Sequence, residues 1–383
     1  MRRLPALHVC VLTLLTACGG EPREEGVEPT SIGVTGDPGS EDSSGSSDDA
    51  GDDPGDLPMP ATGVDPDGDR GCEKVDFLFV IDHSGSMQSE QDALIASFSG
   101  FIEAIEARLE QQGTFHIMVT DVDAWVYGAC EADGCDAAAQ CEAQSPTGEC
   151  DCAWECAMRT LCTEYGDYVC DQTDPFECED VLGAGVTHPR GYGASNSDCS
   201  FASGKRYIDG SEPDVTAAFA CAAQVGIGSS NPELPMQAMV ESVRVGGDAA
   251  VCNDGFLRDD AILVVTVITD EDDNGPGGDD PVGDSPGTPH DWFDALVEAK
   301  GGNADAIVAL ALIGDTGQPG GLCPPLDHTT GIGAENSPRI REFTALFGAQ
   351  GHVGSVCAAS YESFFLEAVD SIGQACDEFM PEG

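Results

Sequence analysis

The chain has 383 residues, of which 70 are acidic and 15 are basic, and its formal charge at pH 7 is −55. A charge of this sign argues against nucleic acid as a partner, because phosphate backbones are bound by lysine and arginine, and it favours cations and basic surfaces. The self-repulsion of such a chain is screened at high ionic strength, so a saline habitat is one interpretation.

Residues 1–17 have the pattern of a secretory signal peptide. Two arginines at positions 2 and 3 precede an apolar stretch that is too short to span a bilayer. The segment Leu15-Thr16-Ala17-Cys18 resembles the lipobox of bacterial lipoproteins, whose cysteine is acylated and becomes the first mature residue. The resemblance implies a membrane anchor at Cys18 and a location at the outer membrane or the cell surface. An ordinary cleaved signal peptide is the alternative.

Residues 18–71 consist largely of Gly, Ser, Pro, Asp and Glu, with few large apolar side chains. Such a segment cannot bury enough apolar surface to offset the entropy of ordering, so it is predicted to be a disordered, acidic linker. The linker would hold the following domain away from the membrane.

From residue 72 to residue 379, strand patterns alternate with helix patterns. The stretch 75–81 is apolar except for Asp76, and residues 88–112 carry apolar side chains at spacings of three and four. This alternation predicts an α/β domain with a doubly wound, mainly parallel sheet that is covered by helices on both faces. The other predicted elements are strands at 115–120, 261–269, 307–313 and 352–356 and helices at 215–224, 235–245 and 364–379.

A cysteine-rich segment, residues 128–211, interrupts this alternation after the second strand. It contains ten cysteines and few aliphatic residues, so it is predicted to be an insertion that is ordered by disulfides more than by a core. Zinc binding by Cys150, Cys152 and Cys156 is the alternative, which an oxidising compartment disfavours. Elsewhere the expected disulfides are Cys72–Cys376, since domain termini usually lie close together, and then Cys221–Cys252 or Cys323–Cys357.

Oxygen-bearing side chains follow two of the predicted strands. Asp82, Ser84 and Ser86 come directly after the first strand, and Asp270 follows the strand at 261–269. The carboxyl ends of parallel strands meet at one edge of a sheet, where open α/β folds bind ligands. Hydroxyl and carboxylate oxygens suit Mg²⁺, Mn²⁺ or Ca²⁺ and do not suit zinc or copper. The pattern therefore predicts a divalent-cation site, with an N-capping turn as the alternative.

The spacing Asp82-x-Ser84-x-Ser86 matches the D-x-S-x-S motif of the metal-ion-dependent adhesion site in von Willebrand factor type A domains. Residues 72–379 resemble such a domain, which has a Rossmann-like fold. The resemblance implies that the two serine hydroxyls bind the cation, Mg²⁺ most favourably, that Asp82 holds it directly or through water, and that the Asp after the central strand completes the set. The family also uses a threonine from a second loop. The corresponding loop here, 226–233, has no threonine but offers Ser229, Ser230 and Glu233.

The acidic run 270–275 matches the first half of a calcium-binding loop, but Pro281 occupies the position where a bidentate Glu is required. Asp272 and Asp273 are therefore expected to form a solvated acidic rim around the metal pocket, with a second calcium site as the alternative. Either arrangement adds negative charge next to Asp270.

The resemblance implies a binding or adhesion module at the cell surface, which recognises a carboxylate of a protein or surface polymer through its cation. The cysteine-rich insertion would lie beside the pocket and supply selectivity, with an inert, species-specific decoration as the alternative. Two alternatives stay open: a structural envelope lipoprotein whose metal only stabilises the fold, and an enzyme or enzyme-associated subunit. Enzymatic activity is not expected, because no convergent set of acid, base and nucleophile is visible in the sequence.

Overall fold

The computed structural model describes residues 74–108, 114–122, 178, 181–189, 193–195, 197–228, 233–273, 285–327 and 330–379, which belong to one compact unit. The predicted signal peptide, the lipid anchor at Cys18, the acidic linker and residues 128–177 of the predicted insertion lie outside the described residues. Cys376 is disulfide-bonded, but Cys72 also lies outside them, so that pairing stays a prediction. No helix in the described part has both the length and the apolar character needed to cross a membrane.

The described elements alternate between strands and helices, as the sequence predicts. The strands are β1 (Lys74–Ile81), β2 (Thr114–Asp121), β3 (Ile208–Asp209), β4 (Ile262–Thr269), β5 (Ile307–Ile313) and β6 (Gly351–Ser355). The helices are α1 (Gln88–Arg108), α2 (Val215–Ala223), α3 (Pro235–Val243), α4 (Pro289–Ala299), α5 (Pro338–Ala345) and α6 (Glu362–Glu378).

The strands form one six-stranded sheet in the order β3-β2-β1-β4-β5-β6. The short β3 runs antiparallel to β2, and the other four pairings are parallel. β1 lies between β2 and β4, so the chain winds outward from β1 in both directions. The predicted α/β fold is confirmed at this level, as a mainly parallel sheet that is flanked by helices.

Helices pack on both faces of the sheet, and this explains why its central strands are predominantly apolar. The side chains of β1 alternate between the faces. Phe77 and Phe79 pack on one face with residues of α1, α2 and α6, whereas Leu78 and Val80 pack on the other face with residues of α3, α4 and α5. Every residue of β4 is buried, so the core lies on both sides of this strand.

Two helices, α4 and α5, have no counterpart among the sequence predictions. Both begin with a proline in the first turn, and Thr288 forms a capping box with Asp291 at the start of α4. Their sequence signals were the prolines and, for α4, the capping box.

The later part of the predicted insertion is integrated into the domain. Ile208 pairs with Ile117 in the sheet, and the backbone N of Val186 donates to the carbonyl of Val119 at 2.7 Å. Val186 and Ile208 are both buried. The described residues of this stretch therefore do not depend on disulfides alone for their order, because they contribute to the core.

Three disulfides join described cysteines: Cys178–Cys252, Cys199–Cys221 and Cys323–Cys357. The predicted pair Cys323–Cys357 is confirmed, and the predicted pair Cys221–Cys252 is wrong. Cys221 belongs to α2, which packs on one face of the sheet. Cys252 follows a short 3-10 turn, residues 248–250, that packs against α3 on the other face. The sheet separates the two cysteines, so each bonds to a cysteine on its own side.

A buried ion pair links β1, β2 and the segment before β4 at the amino-terminal edge of the sheet. Asp76 is fully buried, and its carboxylate oxygens accept hydrogen bonds from Nε and from the backbone N of Arg258, both at 2.7 Å. The same guanidinium donates to Thr114 Oγ1 at 2.7 Å, and Lys300 Nζ donates to the carbonyl of Arg258 at 2.6 Å. Burial raises the pKa of Asp76 to about 6, although the charge of Arg258 opposes the shift. The ionised carboxylate therefore depends on Arg258 for compensation.

We expect Arg258→Ala to lower the free energy of unfolding by about 3 kcal/mol at pH 8, because the variant leaves a buried carboxylate without its partner. The loss should shrink towards pH 5, since an acid whose folded-state pKa is raised gains stability as the pH falls through that pKa. Urea unfolding at both pH values measures the difference. Lys74→Ala removes an exposed ion pair with Asp260 and is the control, which should cost little at either pH. An equal loss at both pH values for Arg258→Ala would contradict this account.

Candidate metal site

Asp82 stands at the carboxyl end of β1, where backbone and side-chain hydrogen bonds hold it. Its backbone N donates to the carbonyl of Ile268 near the end of β4, at 3.0 Å. Its Oδ1 accepts from the backbone N of Ser84 at 2.7 Å, and its Oδ2 accepts from Thr269 Oγ1 at 2.6 Å. Asp82 is 1% exposed. Its carboxylate is therefore fixed in one orientation beside the end of β4.

The structure brings together the side chains of Asp82, Ser84, Ser86 and Asp270, which the sequence predicts as ligands. Ser84 Oγ lies 3.2 Å from Ser86 Oγ and donates to Asp270 Oδ1 at 3.3 Å. The cause is the register of two adjacent parallel strands, in which the last residue of β1 lies opposite the penultimate residue of β4. The residues that follow both strands therefore emerge at the same edge of the sheet.

Asp270 is the residue whose environment points most directly to a ligand. Its side chain is 1% exposed. Its Oδ1 accepts from Ser84, whereas its buried Oδ2 has no hydrogen-bond partner among the described residues. A buried carboxylate oxygen without a partner costs free energy, and a cation at this point would compensate it.

The spacing of the oxygens fits a hard divalent cation. Neighbouring ligands in an octahedral shell are about 2.9 Å apart around Mg²⁺ and about 3.4 Å apart around Ca²⁺, given the usual bond lengths. The separations of 3.2 and 3.3 Å around Ser84 Oγ fall between these values. Within the described residues, no three His, Cys, Asp or Glu side chains are arranged to hold a metal. A cation at this edge of the sheet would therefore depend on the serine hydroxyls.

The site carries an excess of negative charge. Burial raises the pKa of Asp270 to about 7, and the nearby charge of Asp82 adds to the shift. Burial also raises the pKa of Glu271 to about 8, again with contributions from Asp82 and Asp270. The pKa of Asp82 itself is raised by burial, against the hydrogen bond from Thr269. A divalent cation would remove this repulsion and favour the ionised carboxylates.

Part of the second predicted loop lies outside the described residues. Ser229 and Ser230 belong to that part, so their role as ligands stays a prediction. Glu233 is half-buried, and its carboxyl group forms a side-chain hydrogen bond with that of Glu271. Glu233 therefore lies beside the residue that follows Asp270 and is still a rival ligand.

Asp272 and Asp273 do not form the solvated rim that the sequence suggests, because both are buried. Asp273 accepts hydrogen bonds from the backbone N atoms of Met236, at the start of α3, and of Ser285, at 3.1 and 2.8 Å. Asp272 accepts from the backbone N of Arg339, at the start of α5, at 3.4 Å. These carboxylates stabilise the amino termini of two helices. Composition alone does not distinguish such buried caps from a solvated acidic run.

Two residues contribute to the site without having been predicted as part of it, Thr269 and Gln91. Gln91 is fully buried in α1. Its Nε2 donates to the carbonyls of Asp82 and Gly226 at 3.0 and 2.7 Å, and its Oε1 accepts from the backbone N of Gly226 at 3.2 Å. The side chain thus ties the loop after β1 to the start of the second predicted loop. The available sequence signal was a polar residue among the apolar positions of α1.

A scan of the chain against protein-family models found no match, and no curated protein matched it either. The similarity to von Willebrand factor type A domains therefore rests on the motif of Asp82, Ser84 and Ser86 and on the predicted fold, and membership of that family stays a prediction. The arrangement of oxygens at the ends of β1 and β4 does not depend on membership of that family.

We expect the metal-free protein to become more stable as the pH falls from 8 to 6. The raised pKa values of Asp270 and Glu271 mean that the folded state binds more protons than the unfolded state in this range, so stability falls as the pH rises, by about 1 kcal/mol for Asp270 and about 2 kcal/mol for Glu271. Saturating Mg²⁺ should weaken this dependence, because the cation favours the ionised carboxylates. Melting temperatures at both pH values, with and without Mg²⁺, measure the two effects. Asp270→Asn should reduce the slope, and an unchanged slope would count against the raised pKa.

We expect Gln91→Ala to weaken Mg²⁺ binding about tenfold, because the variant loses the buried hydrogen bonds that position two loops of the site. Titration calorimetry measures the affinity. Gln88→Ala is the matched control, since Gln88 lies on the same helix and its amide bonds to the exposed Asp92. An affinity equal to that of the control would show that Gln91 supports the fold alone.

Proposed function

We propose that this protein binds a divalent cation through Asp82, Ser84, Ser86 and Asp270 and uses it to capture a carboxylate of a protein or surface polymer. Mg²⁺ is the preferred ion, with Mn²⁺ and Ca²⁺ as alternatives. The observation that carries the proposal is the buried Oδ2 of Asp270, which has no hydrogen-bond partner in the described part of the chain and lies where two serine hydroxyls converge.

The donor set supports the binding of an external acid. Two of the four side chains are neutral hydroxyls, and Asp82 already accepts hydrogen bonds on both of its oxygens, so a bound cation would keep much of its positive charge. Gly85 is exposed and Ser86 is partly exposed, so the cation would be within reach of a partner. A carboxylate is the group that fits such a cation in otherwise acidic surroundings.

We propose that the protein is located at the outer membrane or the cell surface and that residues 72–379 form a von Willebrand factor type A domain, as the sequence implies. Lipidation at Cys18 would anchor the protein in the outer membrane or at the cell surface, and the linker of residues 18–71 would extend a type A domain towards its partners. The cysteine-rich segment follows β2, which lies next to β1 and runs parallel to it. The segment therefore starts at the same edge of the sheet as the cation site, which supports a role in selectivity.

A structural role of the cation is the second candidate, and the burial of the site favours it. Asp82 and Asp270 are each 1% exposed, and their pKa values are raised. A cation would therefore stabilise the folded state even without a partner. In this case the protein would be an envelope lipoprotein whose cation has a closed ligand shell. The two candidates differ in whether the bound ion keeps exchangeable water.

Binding of Mn²⁺ tests the proposal, because electron paramagnetic resonance distinguishes the free ion from the bound ion. We expect Asp270→Asn to weaken Mn²⁺ binding at least tenfold, on the order of the loss of one charged ligand. Asp92→Asn is the matched control, since it removes the same charge from the exposed side of α1. Equal binding by Asp270→Asn and the control would contradict both candidates.

The relaxation rate of water protons then separates the candidates. If the site is open, bound Mn²⁺ should enhance the relaxation of exchanging water, and added acetate should reduce this enhancement by displacing coordinated water. If bound Mn²⁺ produces no enhancement, the shell is closed and the structural candidate is supported instead.

A further inference from the structure

The loop between β5 and α5, of which residues 314–327 and 330–337 are described, lies beside the proposed cation site and is named the flanking loop. A Cβ atom added to Gly331 would lie 3.4 Å from Ser86 Cα. The backbone N of Glu335 donates to the carbonyl of Asp270 at 2.7 Å. The flanking loop therefore contacts both segments that supply the proposed ligands.

Cross-links hold the flanking loop in place. The disulfide Cys323–Cys357 joins it to the segment after β6. Thr316 Oγ1 lies 3.0 Å from the carbonyl oxygen of Pro324 and 2.5 Å from that of Ala334, so the two arms of the loop are bridged. A side chain on a loop that is already ordered loses less entropy on binding, which favours its use as a contact residue.

Ile332 directly follows Gly331 in this loop, and it is 64% exposed. Since consecutive Cα atoms are about 3.8 Å apart, the Cα atom of Ile332 lies within about 9 Å of Ser86 Cα. If an acidic side chain of a partner segment binds the cation, the side chain of the next residue in that segment lies at a similar distance from the site. The exposed apolar side chain of Ile332 therefore starts within about 9 Å of a residue that supplies a proposed ligand.

The charge of the protein restricts which segments can approach. With a formal charge of −55, the protein repels acidic segments except where a cation offsets the repulsion. A segment with one acid beside an apolar side chain limits this repulsion and can contact both the cation and Ile332. Burial of exposed apolar surface on both sides would add affinity that a lone carboxylate does not have.

We propose that Ile332 sets the specificity of this site by packing against an aliphatic or aromatic side chain that neighbours the cation-binding Asp or Glu of a protein partner. The inference rests on the proposed function and adds a sequence preference to it. Such packing favours the binding of a protein segment over the binding of a polymer whose carboxylates have no apolar neighbours.

Random dodecapeptides displayed on phage, selected against the full chain in Mg²⁺ or in EDTA, test the inference. We expect the wild type to enrich, in Mg²⁺ alone, peptides with an Asp or Glu next to Leu, Ile, Val or Phe. Ile332→Ser should keep the preference for the acid and lose the preference for the apolar neighbour. It should also bind an enriched peptide about tenfold more weakly, as expected for the loss of one apolar contact.

Val251→Ser is the matched control. Val251 is 84% exposed but precedes β4, so it lies towards the opposite edge of the sheet, and the variant should select the same peptides as the wild type. If Ile332→Ser enriches the same apolar neighbours, or if the wild type enriches acids without them, the inference is overturned while the proposed function stands. If no acid is enriched in an Mg²⁺-dependent way, both are overturned.

Discussion

The parallel pairing of β1 and β4 is the constraint on which the candidate site depends. In this register the backbone N of Asp82 continues the hydrogen-bond ladder to Ile268. Asp82 and Thr269 therefore emerge side by side, and the threonine hydroxyl reaches the Asp82 carboxylate at 2.6 Å. A shift of one residue would turn these side chains to the other face of the sheet. The apolar side chains of both strands, which are buried on both faces, hold the register and with it the oxygen cluster.

The predictable part of the molecule is the part with strong local patterns. Continuous apolar runs indicate the central strands, and the polar residues at the ends of β1 and β4 indicate the ligand set. The contributions of Gln91 and Thr269 arise from partners distant in the chain. A polar residue among the apolar positions of α1 marks Gln91, but no local pattern identifies its partners. Asp272 and Asp273 belong to a run whose composition suggests solvent exposure, yet α3 and α5 begin against their carboxylates. The helices α4 and α5 both begin with a proline, and α4 also has a capping box, so their sequence signals lie at their first residues.

The disulfides likewise show that local sequence patterns do not reveal which distant residues meet in the fold. Cys323 follows β5 and Cys357 follows β6, and these strands are adjacent and parallel, so their carboxyl ends bring the two cysteines together. Cys221 has no such relation to Cys252. Cys221 belongs to α2, which packs on one face of the sheet, whereas Cys252 follows a 3-10 turn that packs against α3 on the other face. Cysteine spacing does not reveal these faces, whereas the order of the strands does.

Several of the 15 basic residues are used inside the protein. Arg258 binds the buried Asp76, Lys300 donates to a backbone carbonyl, and Arg339 donates to the carbonyl of Gly287 at 2.7 Å. Few basic side chains are left to offset the acidic surface, so counterions must do so. In the counterion atmosphere around such a surface, the concentration of divalent cations exceeds that of the bulk solution. Monovalent salt thins this atmosphere, so the occupancy of a cation site at the surface follows the ionic composition of the surroundings as well as its intrinsic affinity.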